Sequence, residues 1–201
     1  MLDYDKTLVL FGRSPFINEL RPAVPKIIEK YHTIGCNYFC ESFPDVEFVI
    51  FYDDIVPKAS ENSTIITNIE HFRNPYKKSY TLCHSHKKIE FYTINRVKDD
   101  FSFGDSRLNF YIHTPSIALN WAYKKGFRTV ILAGVDLGFD KKHFDQNSTP
   151  DTNTHTINDS DMQKAREHLH NVAGKYLKIY QLNPNSDMKF EKITTKELLD
   201  A

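Results

Sequence analysis

The chain has 201 residues, with 26 lysines and arginines and 26 aspartates and glutamates. This length suits one domain with its own core, and the balanced charge leaves no net field to attract nucleic acid or an acidic membrane surface. No run approaches the ~20 apolar residues of a membrane span. The amino terminus lacks the apolar core of a signal peptide, and the cysteines lack the spacing of a disulfide framework. We expect a soluble, cytoplasmic protein with a single domain over residues 1–201. Neither nucleic acid nor a membrane is expected as a partner. The oligomeric state stays open, and a homo-oligomer is one of the alternatives.

The first half of the chain reads as strands that alternate with helices. A continuous apolar run over 6–12 predicts a strand buried on both faces. Apolar residues at helical spacing over 16–31 predict a helix, with Ser14 as its N-cap and Pro15 at its first position. Pro22 and Pro25 are expected to interrupt this helix. Further apolar runs predict strands at 33–36, 47–52, 63–67, 79–82 and 89–94.

The second half predicts a helix over 114–125, capped by Thr114, and then a strand over 129–136. A polar stretch over 137–158 is longer than an ordinary connection and predicts a lid. The last elements predicted are a helix over 159–176, a strand over 177–182 and a final helix from Thr194 or Thr195. This order predicts a Rossmann-like α/β fold: a doubly wound, mostly parallel sheet with a long lid-like loop.

In open parallel sheets, ligands bind where loops and helix starts meet at the carboxyl ends of the strands. The residues predicted at that edge are Gly12, Arg13, Ser14, Asn37, Asp53, Thr114, Ser116 and Asp136. Backbone amides, a helix start and the Arg13 guanidinium would suit a phosphate there. Polar residues also end strands simply as turn formers, so this interpretation competes with a structural one. The run after the first strand is neither a P-loop nor a dinucleotide fingerprint.

Two other groups of residues suggest chemistry. Cys36, Cys40 and Cys83, with His84 and His86, could supply zinc ligands, although a Cys36 on a buried strand would instead serve as a core residue. The predicted lid carries His155 just before a helix, and a histidine on a lid suits general base catalysis. A solvated loop histidine without a task is the alternative.

Three blocks of the sequence share their order and spacing with a known family, over about two thirds of the chain. The blocks are Leu8-Val-Leu-Phe-Gly-Arg-Ser-Pro15 with Gly35-Cys-Asn-Tyr-Phe39 and Val49-Ile-Phe-Tyr-Asp53; His113-Thr-Pro-Ser116 with Gly126-Phe-Arg-Thr-Val-Ile-Leu-Ala-Gly-Val-Asp136; and Thr154-His-Thr156 with Leu182-Asn-Pro-Asn-Ser186. In these motifs the chain resembles the bacterial lipooligosaccharide sialyltransferases that use CMP-sialic acid, and the related motility accessory factors.

The resemblance implies a nucleotide-sugar donor, a glycan acceptor and inverting transfer. It implies that Gly12, Asn37 and the helix start at Thr114 hold the nucleotide and its phosphate. His155 would take the proton of an acceptor hydroxyl as it attacks the anomeric carbon, and CMP would leave without any metal or other cofactor.

The chain departs from the family pattern at several positions. Arg13 and Asp53 stand where the family has asparagine, and Tyr111 where it has arginine. Two family tyrosines that assist the leaving phosphate are absent: one falls on Gly138, and Phe139 is the nearest aromatic to the other. A catalytically inactive, nucleotide-binding accessory protein therefore stays open. So does a magnesium-dependent, diphosphate-transferring enzyme of the pterin pathway, with the metal on Asp53 or Asp136.

Overall fold

The computed structural model describes residues 2–95, 107–109, 113–137 and 159–201. Its strands form one nine-stranded sheet in the order β6-β5-β4-β3-β2-β1-β7-β8-β9, and every pairing is parallel. The strands are β1 Thr7–Phe11, β2 His32–Cys36, β3 Phe48–Phe51, β4 Thr64–Asn68, β5 Ile89–Asn95, β6 Arg107–Asn109, β7 Thr129–Ala133, β8 Lys178–Gln181 and β9 Glu191–Lys192. The Rossmann-like α/β prediction is confirmed.

The direction of winding reverses at β1. The chain builds outward from β1 through β2 to β6, then returns to place β7 on the other side of β1. Phe11 at the end of β1 pairs with Gly35 of β2 and with Ala133 of β7. In open α/β sheets such a switch point opens a crevice at the carboxyl ends of the strands. The fold therefore places the candidate site beyond Phe11.

Helices cover both faces of the sheet. They are α1 Phe16–Leu20, α2 Val24–Lys30, α3 Phe39–Ser42, α4 Ile69–Arg73, α5 Tyr80–Ser85, α6 Thr114–Lys124, α7 Asp159–His168, α8 Gly174–Tyr176 and α9 Thr195–Asp200, with a π-helical turn at Leu169–Ala173 between α7 and α8. The predicted break is confirmed, because α1 ends before Pro22 and the chain resumes helix at Val24. No helix in these described ranges has the length and apolar character to cross a membrane.

Two apolar cores lie on opposite faces of the sheet, because successive strand residues point to opposite sides. Leu8 and Leu10 of β1 pack with Ile117 and Trp121 of α6. Val9 and Phe11 pack with α1, α2, α3 and the carboxyl-terminal helix α9. Every residue of β1 is buried, and this explains why the strand reads as a continuous apolar run.

Three local predictions were wrong. Residues 79–82, expected as a strand, lie at the start of α5. The Asp54 carboxylate accepts from the backbone amides of Lys78 and Ser79 at 3.1 Å, and it thereby satisfies donors where the helix begins. Ser14 does not cap α1, which has Pro15 at its N-cap position. Thr114 does not cap α6 either, because His113 does.

Candidate functional site

The floor of the crevice is two glycines in close contact. A Cβ atom on Gly12 would lie 2.2 Å from the carbonyl oxygen of Gly134, so only glycine fits between the ends of β1 and β7. The Gly12 amide donates to the carbonyl oxygen of Ala133 at 2.8 Å, and the Ser14 amide donates to that of Gly134 at 3.0 Å. Gly134 itself has a φ of +69°. These contacts extend the β1–β7 pairing into the loops and fix the path of residues 12–14.

Asp136 holds three segments together. Its Oδ2 accepts from the Ser14 hydroxyl at 2.5 Å and from the Asn183 side-chain amide at 2.8 Å, and its Oδ1 accepts from the Gln181 side chain at 3.2 Å. The Ser14 hydroxyl is a donor in this bond, and its charged acceptor makes the bond stronger than a neutral one. Asp136 and Ser14, both predicted to bind nucleotide, thus form the frame that joins β1, β7 and β8.

Asn37 provides a polar group that faces the crevice from β2. Its φ of +55° lies in the left-handed region, where asparagine is tolerated better than most residues. Its Oδ1 accepts from the Thr114 hydroxyl at 3.3 Å, which connects the end of β2 to the start of α6. The Asn37 side-chain nitrogen donates to no group among the described residues. It is therefore a hydrogen-bond donor available to a ligand.

Arg13 lies on the same side of the crevice as Asn37. Its guanidinium is placed over the Tyr38 ring, 5.3 Å from the centroid. Because Tyr38 directly follows Asn37, this contact brings the cation of the β1 loop next to the β2 loop. The structure therefore brings together Gly12, Arg13, Asn37 and Thr114, all predicted from the sequence. Asp53, after β3, is exposed and farther along the sheet edge.

His113 caps one amide at the start of α6. His113 Nδ1 accepts from the Ser116 amide at 3.3 Å, and the Ser116 hydroxyl donates to the His113 carbonyl oxygen at 2.9 Å. Pro115 has no amide hydrogen to offer. Ser116 is buried and its polar groups are used inside the protein, so its predicted contact with a nucleotide finds no support in these bonds. Thr114 is the residue of this turn that reaches Asn37.

His113 is the functional candidate that sequence reasoning missed. Its Nε2 is buried and has no hydrogen-bond partner among the residues the structure describes. Burial, with a smaller contribution from nearby His168, lowers the pKa of His113 from 6.5 to about 3. The imidazole is thus neutral near pH 7, with Nδ1 as acceptor and Nε2 as donor. Its position before a proline at a helix start was the available signal.

The side chains that could have supplied zinc ligands do not come together. Cys36, Cys40 and Cys83 are separate buried thiols, and burial raises their pKa values to about 12, 12 and 11. His84 and His86 bind backbone carbonyl oxygens of Tyr80 and Ser63. Within the described ranges, no group of three or more histidine, cysteine or acidic side chains is arranged to hold a metal ion. Cys36 serves the core, as the alternative interpretation had it.

Part of the predicted site lies outside the described residues. This is so for His155 and Tyr111, and for the predicted lid over 137–158 except Leu137. Leu137 has a φ of +47°, an uncommon conformation for a bulky residue. Asn183, Gln181 and Tyr38 complete the described crevice, although none was predicted there. Asn183 belongs to the Leu-Asn-Pro-Asn-Ser run, which gave a hint of its importance.

Two solved structures share this architecture. The MAf glycosyltransferase from Magnetospirillum magneticum AMB-1 matches 95% of this chain with a TM-score of 0.66 and 14% identity, and this chain spans 34% of its length. The monofunctional alpha-2,3-sialyltransferase Cst-I from Campylobacter jejuni matches 97% of this chain with a TM-score of 0.53 and 11% identity, over 82% of its own length. No model of a protein family matches the sequence, and no curated protein matches it. At these identities the two likenesses establish a shared fold.

Proposed function

We propose that this chain is a glycosyltransferase domain that takes a sugar from a CMP-activated donor and transfers it, with inversion, to a glycan hydroxyl. The observation that carries the proposal is the meeting of Gly12, Arg13, Asn37 and Thr114 around the crevice beyond β1. The fold likeness to two proteins described as a glycosyltransferase and a sialyltransferase supports it. Because one fold can host many functions, the proposal rests on the residues of the site.

The crevice suits a nucleotide phosphate. Arg13 offers a delocalised cation, Asn37 offers a side-chain N–H, and α6 points its positive end toward the same space. Gly12 has no side chain, so the backbone can approach a ligand closely. Both carboxylate oxygens of Asp136 accept hydrogen bonds from protein donors, so this side chain serves the frame of the crevice.

In the proposed reaction, the acceptor oxygen forms a bond to the anomeric carbon while the bond from that carbon to the phosphate oxygen of CMP breaks. The acceptor proton passes to a general base, for which the family resemblance points to His155. The negative charge left on the CMP phosphate is stabilised by Arg13 and the start of α6. No step requires an oxidant, a metal or a covalent enzyme intermediate.

The magnesium-dependent alternative loses one of its two proposed ligands. Asp136 already accepts three protein hydrogen bonds, and Asp53 alone would hold a metal poorly. An accessory protein would bind the nucleotide in the same crevice but would not catalyse transfer.

A transfer assay separates these readings. Purified protein is incubated with CMP-sialic acid and a mixture of oligosaccharide acceptors, and CMP release and product mass are recorded. We expect transfer by the wild type and a loss of at least a hundredfold in His155→Ala, with CMP affinity retained. CMP binding without release or transfer would assign the chain to the accessory class. A fully active His155→Ala variant would remove His155 as the base.

A further inference from the structure

Residues 71–88, which include the end of α4, all of α5 and the turn between them, form a basic and aromatic segment. It contains five lysines and arginines, three histidines and no aspartate or glutamate. The chain as a whole has 26 residues of each charge. The basic residues are therefore concentrated along this part of the sequence, and a charged ligand responds to the local rather than the total charge.

This segment also exposes aromatic rings. Tyr76 is 94% exposed and Phe72 is 38% exposed. In the described part of the chain only one other large hydrophobic side chain, Val56, is so exposed. The Phe72 ring stacks on His84 with centroids 4.2 Å apart, and Tyr80 lies 4.0 Å from the same imidazole. Exposed aromatic surface grouped in one place usually marks a binding site.

The turn between α4 and α5 lies at the same edge of the sheet as the crevice. Asp54, just after β3, accepts from the amides of Lys78 and Ser79 at 3.1 Å and from the Ser79 hydroxyl at 3.0 Å. These bonds fix the turn at the carboxyl end of β3. Because β3 is two strands from β1, and neighbouring strands are ~4.8 Å apart, the ends of these two strands are roughly 10 Å apart.

The cations of this segment differ in their availability. Lys87 pairs with Glu61 at 3.1 Å, and Arg73 lies 3.8 Å from Glu70. Lys88 donates to the backbone carbonyl oxygen of Asn62 at 3.0 Å. Lys77 and Lys78, beside Tyr76, have no carboxylate within ion-pair distance among the described residues. Asp54 attracts Lys77 at longer range, but neither ammonium group is held in a short ion pair within the described ranges.

We propose that Tyr76, Lys77 and Lys78 bind an acidic glycan, which serves as the acceptor of the transferase. The acceptor role rests on the proposed function. The tyrosine ring packs against the C–H face of a sugar, and the two ammonium groups pair with its carboxylates or phosphates. Since the turn lies two strands away from β1 along the sheet edge, it contacts sugar units beyond the one that reacts.

The small number of available cations favours a glycan over other anions. Nucleic-acid binding commonly uses about 6–10 phosphate contacts, and polybasic membrane attachment about 4–8 clustered cations. Two ammonium groups and one ring match the size of one or two sugar units.

Calorimetry with defined oligosaccharides tests the surface. The probes are hexagalacturonate, a phosphorylated mannose pentasaccharide and neutral maltohexaose. We expect at least one acidic probe to bind ten times more tightly than maltohexaose, and the preferred one identifies carboxylate or phosphate as the acidic group. Tyr76→Ala and the double variant Lys77→Ala/Lys78→Ala should each weaken that binding at least fivefold. The matched double variant Lys175→Ala/Lys189→Ala, at two exposed lysines elsewhere, should change nothing.

Several results would contradict the proposed glycan-binding surface. Equal binding of acidic and neutral probes, no binding of any probe, or unchanged affinity in the Tyr76 and Lys77/Lys78 variants would overturn the proposal. So would tighter binding of oligothymidylate or of phosphatidylserine vesicles that these variants abolish. CMP titrations of the same proteins keep the two proposals separate. Glycan binding without CMP binding contradicts the transferase alone, whereas CMP binding without glycan binding contradicts only the acceptor surface.

Discussion

The carbonyl oxygen of Gly134 lies 2.2 Å from the position that a Cβ atom on Gly12 would occupy. In Gly12→Ala the ends of β1 and β7 must move apart, and the hydrogen bonds of the Gly12 and Ser14 amides would be strained with them. We expect a loss of about 3 kcal/mol or more in the free energy of unfolding, measured by urea denaturation.

Gly174→Ala is the matched control. The nearest heavy atom to a Cβ there is 3.9 Å away, and Gly174 is helical and exposed. This variant should be neutral or more stable by up to about 1 kcal/mol, because alanine favours the helix. Equal stability of the two variants would contradict the close contact.

Asp136→Asn should loosen the frame of the crevice. The carboxylate accepts from Ser14, Asn183 and Gln181, and an amide cannot accept from all three. Hydrogen bonds to charged groups contribute about 1.5–3 kcal/mol each and are not additive, so we expect destabilisation of about 3 kcal/mol in thermal or urea unfolding. Asp45→Asn, at an exposed turn, should stay within about 0.5 kcal/mol of the wild type. An Asp136 variant as stable as the Asp45 variant would show that the network does not hold the loops.

His113 makes stability depend on pH. Burial, followed by the effect of His168, lowers its pKa from 6.5 to about 3 in the folded chain. Between these values the unfolded chain binds a proton that the folded chain does not, so stability falls as the pH falls from about 6.5 toward 3. Between pH 7 and pH 5 this one group should cost about 2 kcal/mol.

His113→Asn isolates this effect, because asparagine still offers an N-cap oxygen to Ser116 and does not titrate. Buried His71, whose pKa is also lowered mainly by burial, is present in both proteins and cancels in the comparison. Unfolding curves at pH 7 and pH 5 should show the smaller pH effect in the variant. Parallel losses in the two proteins would rule out His113 as the source.

Asn37→Gly separates binding from folding. Glycine accepts the φ of +55° without strain but has no side-chain amide to offer a ligand. We expect CMP affinity to fall at least tenfold while the free energy of unfolding changes by no more than about 1 kcal/mol. In Asn185→Gly, an exposed position after β8, both quantities should stay near the wild type. Wild-type affinity in Asn37→Gly would remove Asn37 from the site.

The parts of the fold that could be read from sequence are those where one physical signal dominates. The apolar run of β1 and the helix that precedes the apolar run of β7 correctly predicted buried parallel strands. A strand that is buried on both faces has little room for polar residues. The same signal placed Gly12, Asn37 and Asp136 at one edge. What sequence could not supply was the use of each polar group: Asp136 accepts protein hydrogen bonds, and His113 takes the capping role expected of Thr114.

Residues 79–82 show the other limit of sequence reasoning. Tyr80 and Thr81 favour a strand by local propensity, but Asp54, more than twenty positions earlier, accepts from the amides of Lys78 and Ser79 where the helix begins. Such long-range partners have no local signature. The surface around Tyr76 was missed for a different reason: a balanced total charge says nothing about where along the chain the charges lie.

The most direct test of the account is a calorimetric titration of the wild-type chain with CMP, followed by UMP and AMP. The account predicts saturable binding of CMP at one site per chain, with a dissociation constant below about 1 mM, and a loss of that binding in Asn37→Gly. The absence of saturable binding by CMP and every other pyrimidine nucleotide, in a chain that unfolds cooperatively, would contradict it.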